Sequence, residues 1–146
     1  MELVGNKKAH FEYQIDSTYT AGVQLLGSEV KSLRLGHASL QGSFVKIVAG
    51  QEVLLNVHIT PYPYADNTDY DPKRVRQLLL KKRELLELSE LTHNKGKTLV
   101  PLAFVTMGRH IKLLIGVGKG KKQFEKRAHI KEREETRRIQ REFKLR

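Results

Sequence analysis

The spacing of apolar residues divides this chain into short extended pieces, a few helices and a distal stretch with almost no apolar face. Phe11-Glu12-Tyr13-Gln14-Ile15 alternates apolar and polar positions, which predicts a half-buried strand. Val23-Gln24-Leu25 reads as another short extended piece. Ser28 is placed to cap a helix from Glu29 to Leu35, with Glu29 near the positive end of its dipole and Arg34 near the negative end. Gly36 follows as the stop. Ser43 to Val48 and Glu52 to Val57 form a predicted hairpin around Ala49-Gly50-Gln51. Pro, Asn and Asp make residues 60–69 a loop. Asp71-Pro72 then predicts a helix start. That helical stretch runs to about Leu91, with a break near Lys81, and its apolar face is Leu78, Leu79, Leu85, Leu86 and Leu88. Thr98 to Thr106 and Ile111 to Val117 are the last two strands, joined by Met107-Gly108-Arg109-His110.

Six or so short strands with helices between them favour a mainly β fold closed into a small barrel, because closure removes exposed edges. A barrel of oligonucleotide/oligosaccharide-binding type is the natural candidate. Beyond it, Gly116 to Lys122 reads as a flexible basic hinge. From His129 to Arg146 the only large apolar residues are Ile130, Ile139, Phe143 and Leu145. A segment with so little to bury is expected to be frayed alone and helical against a polyanion that offsets its self-repulsion.

Charge sharpens this division. The 146 residues hold 27 Lys and Arg against 16 Asp and Glu, a net charge of +11. Residues 119–146 account for +7 of it, so the boundary falls between a domain at 1–118 and a basic tail at 119–146. Such an excess attracts nucleic acid first and anionic membrane second. No apolar run nears the roughly 20 residues that span a bilayer. The tail lacks Trp anchors, so membrane is not an expected partner. Met1 to Lys8 has no apolar signal-peptide core, and the absence of cysteine removes disulfides and thiolate metal sites, which suits a cytoplasmic protein.

Enzymatic constellations fail on spacing. A Walker A match ending at Lys121 needs Gly at Ile115 and Ser or Thr at Lys122; a dinucleotide fingerprint from Gly116 needs Gly at Lys121. Asp66, Asp69 and Asp71 lack calcium-loop spacing and suit turns and caps. His10, His37, His58, His93, His110 and His129 contain no i, i+4 pair. The chain is therefore expected not to be an enzyme and to need no cofactor or metal. By contrast, Asn6-Lys7-Lys8-Ala9-His10-Phe11-Glu12-Tyr13 mixes cations, an amide and rings, the mixture that grips RNA. The same residues also suit a basic arm with Phe11 and Tyr13 in the core. Lys31 and Arg34, three apart, share a helix side that is either a binding face or ordinary solvated surface.

Several ordered motifs then resemble one family along nearly the whole chain. They are Asn6-Lys7-Lys8-Ala9 with Tyr13; Ala21-Gly22-Val23, Leu25, Gly27 and Glu29-Val30-Lys31-Ser32-Leu33-Arg34; Ile59-Thr60-Pro61-Tyr62; and Asp71-Pro72-Lys73-Arg74 with Leu78-Leu79-Leu80. Lys112 before Ile115-Gly116-Val117, Gly120-Lys121-Lys122, Lys126-Arg127 and Ile130-Lys131-Glu132-Arg133 follow in order. Together they resemble small protein B, the SsrA-binding protein family.

The resemblance implies a six-stranded antiparallel closed barrel of oligonucleotide-binding type, with flanking helices and a basic tail helix. It implies binding to the tRNA-like domain of transfer-messenger RNA and delivery of that RNA to stalled ribosomes for trans-translation. The tail would enter the empty mRNA channel of the small subunit. Carried over residue by residue, Asn6, Lys7, Tyr13, Lys31, Arg34 and Lys112 lie at the RNA face, with Leu79 as supporting packing. Lys119, Lys121, Lys122, Lys126 and Arg127 would meet ribosomal RNA near the decoding centre, and Lys131, Arg137, Arg138, Ile139 and Arg141 would line the channel. Thr20 departs from the family's Glu, Phe124 from its His or Tyr and Glu125 from its Asp, and the tail is short. The free protein is expected to be a monomer.

Overall fold

The structure, a computed structural model, describes residues 1–121 together with Glu134 and Arg137. Its chain order is β1 (Glu2–Gly5), α1 (Ala9–Glu12), β2 (Tyr13–Val23), α2 (Gly27–Arg34), β3 (Ala38–Ser39), β4 (Phe44–Val48), β5 (Gln51–Leu55), β6 (His58–Ile59), β7 (Arg76–Leu79), α3 (Lys82–His93), β8 (Thr98–Met107) and β9 (His110–Gly120). The fold is mainly β, with a few helices, as expected.

Strand number and closure differ from the expected six-stranded closed barrel. Seven strands pair in the order β1-β8-β9-β2-β7-β5-β4, and β3 pairs with β6 separately. The main sheet curls until β4 comes within 8 Å of β8 between Cα atoms, yet no ladder joins them. β1 takes part of the other edge of β8, pairing Glu2, Val4 and Gly5 with Val105, Phe104 and Ala103.

The long strands bend at bulges. Asp16 is the extra residue where β2 shifts register against β9, and Leu102 is the extra residue where β8 shifts against β9. Bulges of this kind let a sheet coil. The hollow they create is filled by Phe104, Leu33, Leu54, Leu88, Leu113 and Ile115, all fully buried. Leu33 brings α2 into that core and Leu88 brings α3. In the hairpin of β4 and β5, Ala49 and Gly50 both have positive φ, the backbone of a tight two-residue turn.

Several local expectations are corrected. Residues 76–79 form β7 instead of helix; inward Arg76 and Leu78 alternate with outward Gln77 and Leu79, a period of two. Asp71 caps a turn there, its Oδ1 accepting the Lys73 N–H at 2.9 Å, and α3 starts only at Lys82. Phe11 and Glu12 close the short helix α1, so the first long strand begins at Tyr13. The expected hinge from Gly116 is strand as far as Gly120, where Lys119 pairs with Gln14. Ser28 is inside α2; the free N–H capped at that end is that of Leu26, bonded to Glu29 Oε1 at 2.9 Å. Gly36, at φ +76°, ends the helix as expected.

Candidate nucleic-acid interface

A buried ionic knot sets the position of α2. Glu29 and Arg76 are 1% and 0% exposed. Arg76 donates from Nε and Nη2 to Glu29 Oε2 at 2.9 and 2.5 Å. Its remaining donors reach Val57 O at 2.7 Å, Arg74 O at 3.0 Å and Pro72 O at 2.9 Å. Arg74 bonds both Glu29 oxygens, and the Tyr70 hydroxyl donates to Oε2 at 3.0 Å. A buried guanidinium is tolerated only when its donors are met, and here they are. Burial pushes the Glu29 carboxyl up, but hydrogen bonds from Arg74, the Leu26 N–H and Arg76 outweigh it and hold its pKa below the ordinary value. The knot ties the helix carrying Lys31 and Arg34 to the segment 57–76.

Of the side chains expected at the RNA face, Lys112 and Leu79 line one groove, and Arg34 and Lys31 lie outside its lining. Lys112 on β9 and Leu79 on β7 line a groove of about 240 Å³ with Val30 of α2, the turn residue Arg109 and His110 at the start of β9. Gly22 makes it possible: a Cβ there would lie 3.2 Å from Leu79 Cβ and 3.6 Å from Lys112 Nζ. Leu79 is 50% exposed, so it forms groove wall as well as packing. Arg34 Nη2 points to Arg109 O at 3.4 Å, a long contact that leaves the guanidinium at the surface. Lys31 is exposed, its Nζ 5.3 Å from the centre of the Tyr62 ring. The groove thus gathers cations around an apolar floor.

Asn6, Lys7 and Tyr13 occupy a second area. Asn6 and Tyr13 line a groove of about 460 Å³ with Lys8, Gln41 and the half-exposed Phe44. Lys7 and Asn6 line an adjoining groove of about 250 Å³ with Ser39 and Gln41. The Asn6 side chain also supports the fold. It donates to Pro101 O at 2.9 Å while its backbone N–H donates to Leu102 O at 2.8 Å, at the β8 bulge. The bulge frees two neighbouring carbonyls, and one asparagine takes both. No described hydrogen bond or shared groove lining joins this area to the groove at Lys112.

Of the residues expected in the tail, Lys119 is exposed at the end of β9. Lys121 is held, with its N–H on Glu12 O at 2.8 Å and its Nζ on His10 O at 2.6 Å. Arg137 is helical and exposed, as is Glu134. Lys122, Lys126, Arg127, Lys131, Arg138, Ile139 and Arg141 lie outside the described residues.

Comparison with known proteins decides the family. The family model described as SmpB protein matches residues 3–145. The chain belongs to the SmpB family. An SmpB relative, the SsrA-binding protein of Geobacillus sp. (strain WCH70), is 46% identical over 97% of this chain and 91% of its own. The SsrA-binding protein of Synechococcus sp. (strain JA-2-3B'a(2-13)) is 48% identical over 99% of this chain and 94% of its own. A solved SmpB structure, described as "tmRNA-SmpB: a journey to the center of the bacterial ribosome", superposes with a TM-score of 0.69 at 41% identity, covering 84% of this chain and 87% of that one.

Sequence reasoning missed the knot. Arg76 stood inside an expected helix, and nothing local marks its link to a Glu 47 residues away. It also missed Glu52, which is 2% exposed with both carboxylate oxygens unpartnered among the described residues. Burial, and then the Glu84 charge, push its pKa up to about 7.

Proposed function

We propose that this protein binds the tRNA-like domain of transfer-messenger RNA and carries it to stalled ribosomes for trans-translation. The observation that carries the reading is the SmpB family match across residues 3–145, which spans both the grooved body and the basic tail. The curled sheet is an oligonucleotide-binding type of platform. Lys31, Arg34 and Lys112 meet backbone phosphates, while the apolar floor at Leu79 lies against the ribose and base edges. Asn6, Lys7 and Tyr13 extend the contact.

The chain works in two parts. Residues 1–118 hold one RNA, and residues 119–146 probe the ribosome. Lys119, Lys121, Lys122, Lys126 and Arg127 approach the decoding centre, and Lys131, Arg137, Arg138, Ile139 and Arg141 run along the mRNA channel. A channel already holding message cannot accept a cationic helix, because both need the same volume. The tail therefore turns an empty channel into acceptance of the RNA. The protein contributes binding and placement and is not the catalyst of tagging; its setting is the cytoplasm.

A reconstituted tagging reaction tests this. Ribosomes stalled at the end of a truncated message should tag their nascent chain when transfer-messenger RNA and this protein are both supplied. Equal tagging without the protein would refute the reading.

A further inference from the structure

The loop between β6 and β7 carries an aromatic pair outside the grooves described above. Tyr62 and Tyr64 meet edge to face, with ring centroids 5.5 Å apart and planes at 64°. Lys31 Nζ lies 5.3 Å from the Tyr62 ring centre. Tyr64 is 89% exposed. One ring is therefore packed between a cation and its neighbour, and the other stands almost wholly in solvent.

Polar bonds order the loop, and Tyr64 is not buried by it. Asn67 Nδ2 donates to Tyr62 O at 2.9 Å and Ala65 O at 3.2 Å, and the Ala65 N–H donates to Tyr62 O at 3.1 Å. Ser32 Oγ on α2 donates to Thr60 O at 2.7 Å, and the Thr60 N–H donates to His37 O at 3.1 Å. Ser32 adjoins Lys31, so the tyrosines are held beside that cation. A ring fixed in water gains little from the hydrophobic effect. What the pair presents is the open face of Tyr64 with the Lys31 charge on the far side of Tyr62, a combination that can receive an unstacked base and its phosphate.

We infer that Tyr62, Tyr64 and Lys31 form a stacking platform for one unpaired nucleotide of the bound RNA. The base stacks on Tyr64, Tyr62 holds Tyr64 in place, and the Lys31 ammonium meets the adjoining phosphate. Asp66 and Asp69 on the same loop repel a duplex laid along it, which favours a single splayed nucleotide. The inference rests on the functional reading above, since it assigns a further contact to the same RNA.

The test uses the full chain and the isolated tRNA-like domain. Tyr64→Ala should weaken binding about tenfold, the scale of one lost base stack, while Tyr64→Phe stays within about twofold of the parent. The salt dependence of affinity should be unchanged in Tyr64→Ala, because a neutral ring releases no counterions. The chain has no Trp, so Tyr64→Trp adds a single reporter whose emission should be quenched by the RNA. If the parent binds and Tyr64→Ala binds equally, with Tyr64→Trp unquenched, the platform is refuted and the functional reading stands. If the parent shows no preference for this RNA, the functional reading falls and the platform with it. Loss seen only on ribosomes, with affinity for the free RNA intact, would assign the pair to a ribosomal partner and also refute the platform.

Discussion

Arg76 places two donors on a single oxygen of Glu29, Nε at 2.9 Å and Nη2 at 2.5 Å, with both side chains sealed from solvent. This contact joins α2 to β7. Glu29→Gln keeps the shape of the side chain but leaves Arg76 as a buried charge without its counter-ion. Breaking such a pair from one side is expected to cost about 3–5 kcal/mol. Denaturant unfolding measures it, and RNA affinity should fall in parallel because Lys31 and Arg34 ride on α2. Unchanged stability would mean that the knot does not hold the helix.

Glu52 gives the fold an unusual pH dependence. Its folded pKa, about 7, lies above the ordinary 4.5. Between those values the folded state binds more protons than the unfolded state, so this contribution is full below the ordinary value and is lost as pH rises through about 7. The ceiling is about 3 kcal/mol, from the size of the shift. Glu29, with its lowered pKa, acts oppositely: its contribution is present above the ordinary carboxylate range and fades only as pH falls through the lowered value. Urea unfolding of Glu52→Gln at pH 5, 6, 7 and 8 should show a stability gain over the parent that grows with pH. A difference that stays flat would contradict the account.

Gly118 is fixed by its neighbours across the sheet. A Cβ there would lie 1.9 Å from Gln14 O, which is backbone and cannot swing away. At Gly116 the nearest atoms are ends of the Ile15 and Leu102 side chains, at 3.0 and 3.1 Å. Gly118→Ala should therefore destabilise by about 3 kcal/mol or more and Gly116→Ala by about 1 kcal/mol. Thermal unfolding of the two variants side by side checks the order.

How much of the fold is legible in the sequence depends on the range of the cause. The β4–β5 hairpin and the β8–β9 pair are readable because their turns, at Ala49-Gly50 and Gly108-Arg109, lie inside the local sequence. The β7 strand is not, because a leucine run after Asp71-Pro72 has the composition of a helix, while Arg76 is drawn inward by a partner on α2. β1 offers only Leu3 and Val4 as apolar signal and is a strand because the β8 edge accepts it. At the site, Lys31, Arg34 and Lys112 are marked by family motifs; the fold sets Lys112 in the groove, Arg34 against the groove residue Arg109 and Lys31 over Tyr62. Tyr64 sits in a loop without periodicity, and its environment appears only when Tyr62 and Lys31 are placed around it.

The cations at the groove should appear in the salt dependence of binding. Lys31→Ala and Lys112→Ala are each expected to lower the slope of log affinity against log salt by about 1 unit, as one phosphate contact is lost. A slope unchanged in both variants would move the phosphate track elsewhere, toward Lys7 and Lys8.

The most direct measurement compares affinity for the tRNA-like domain of transfer-messenger RNA with affinity for an ordinary tRNA over a salt series. Shape-specific recognition at the groove requires a preference for the former that persists as salt rises. Equal affinities falling together along one steep slope would reduce the interface to general phosphate attraction and contradict the assigned role.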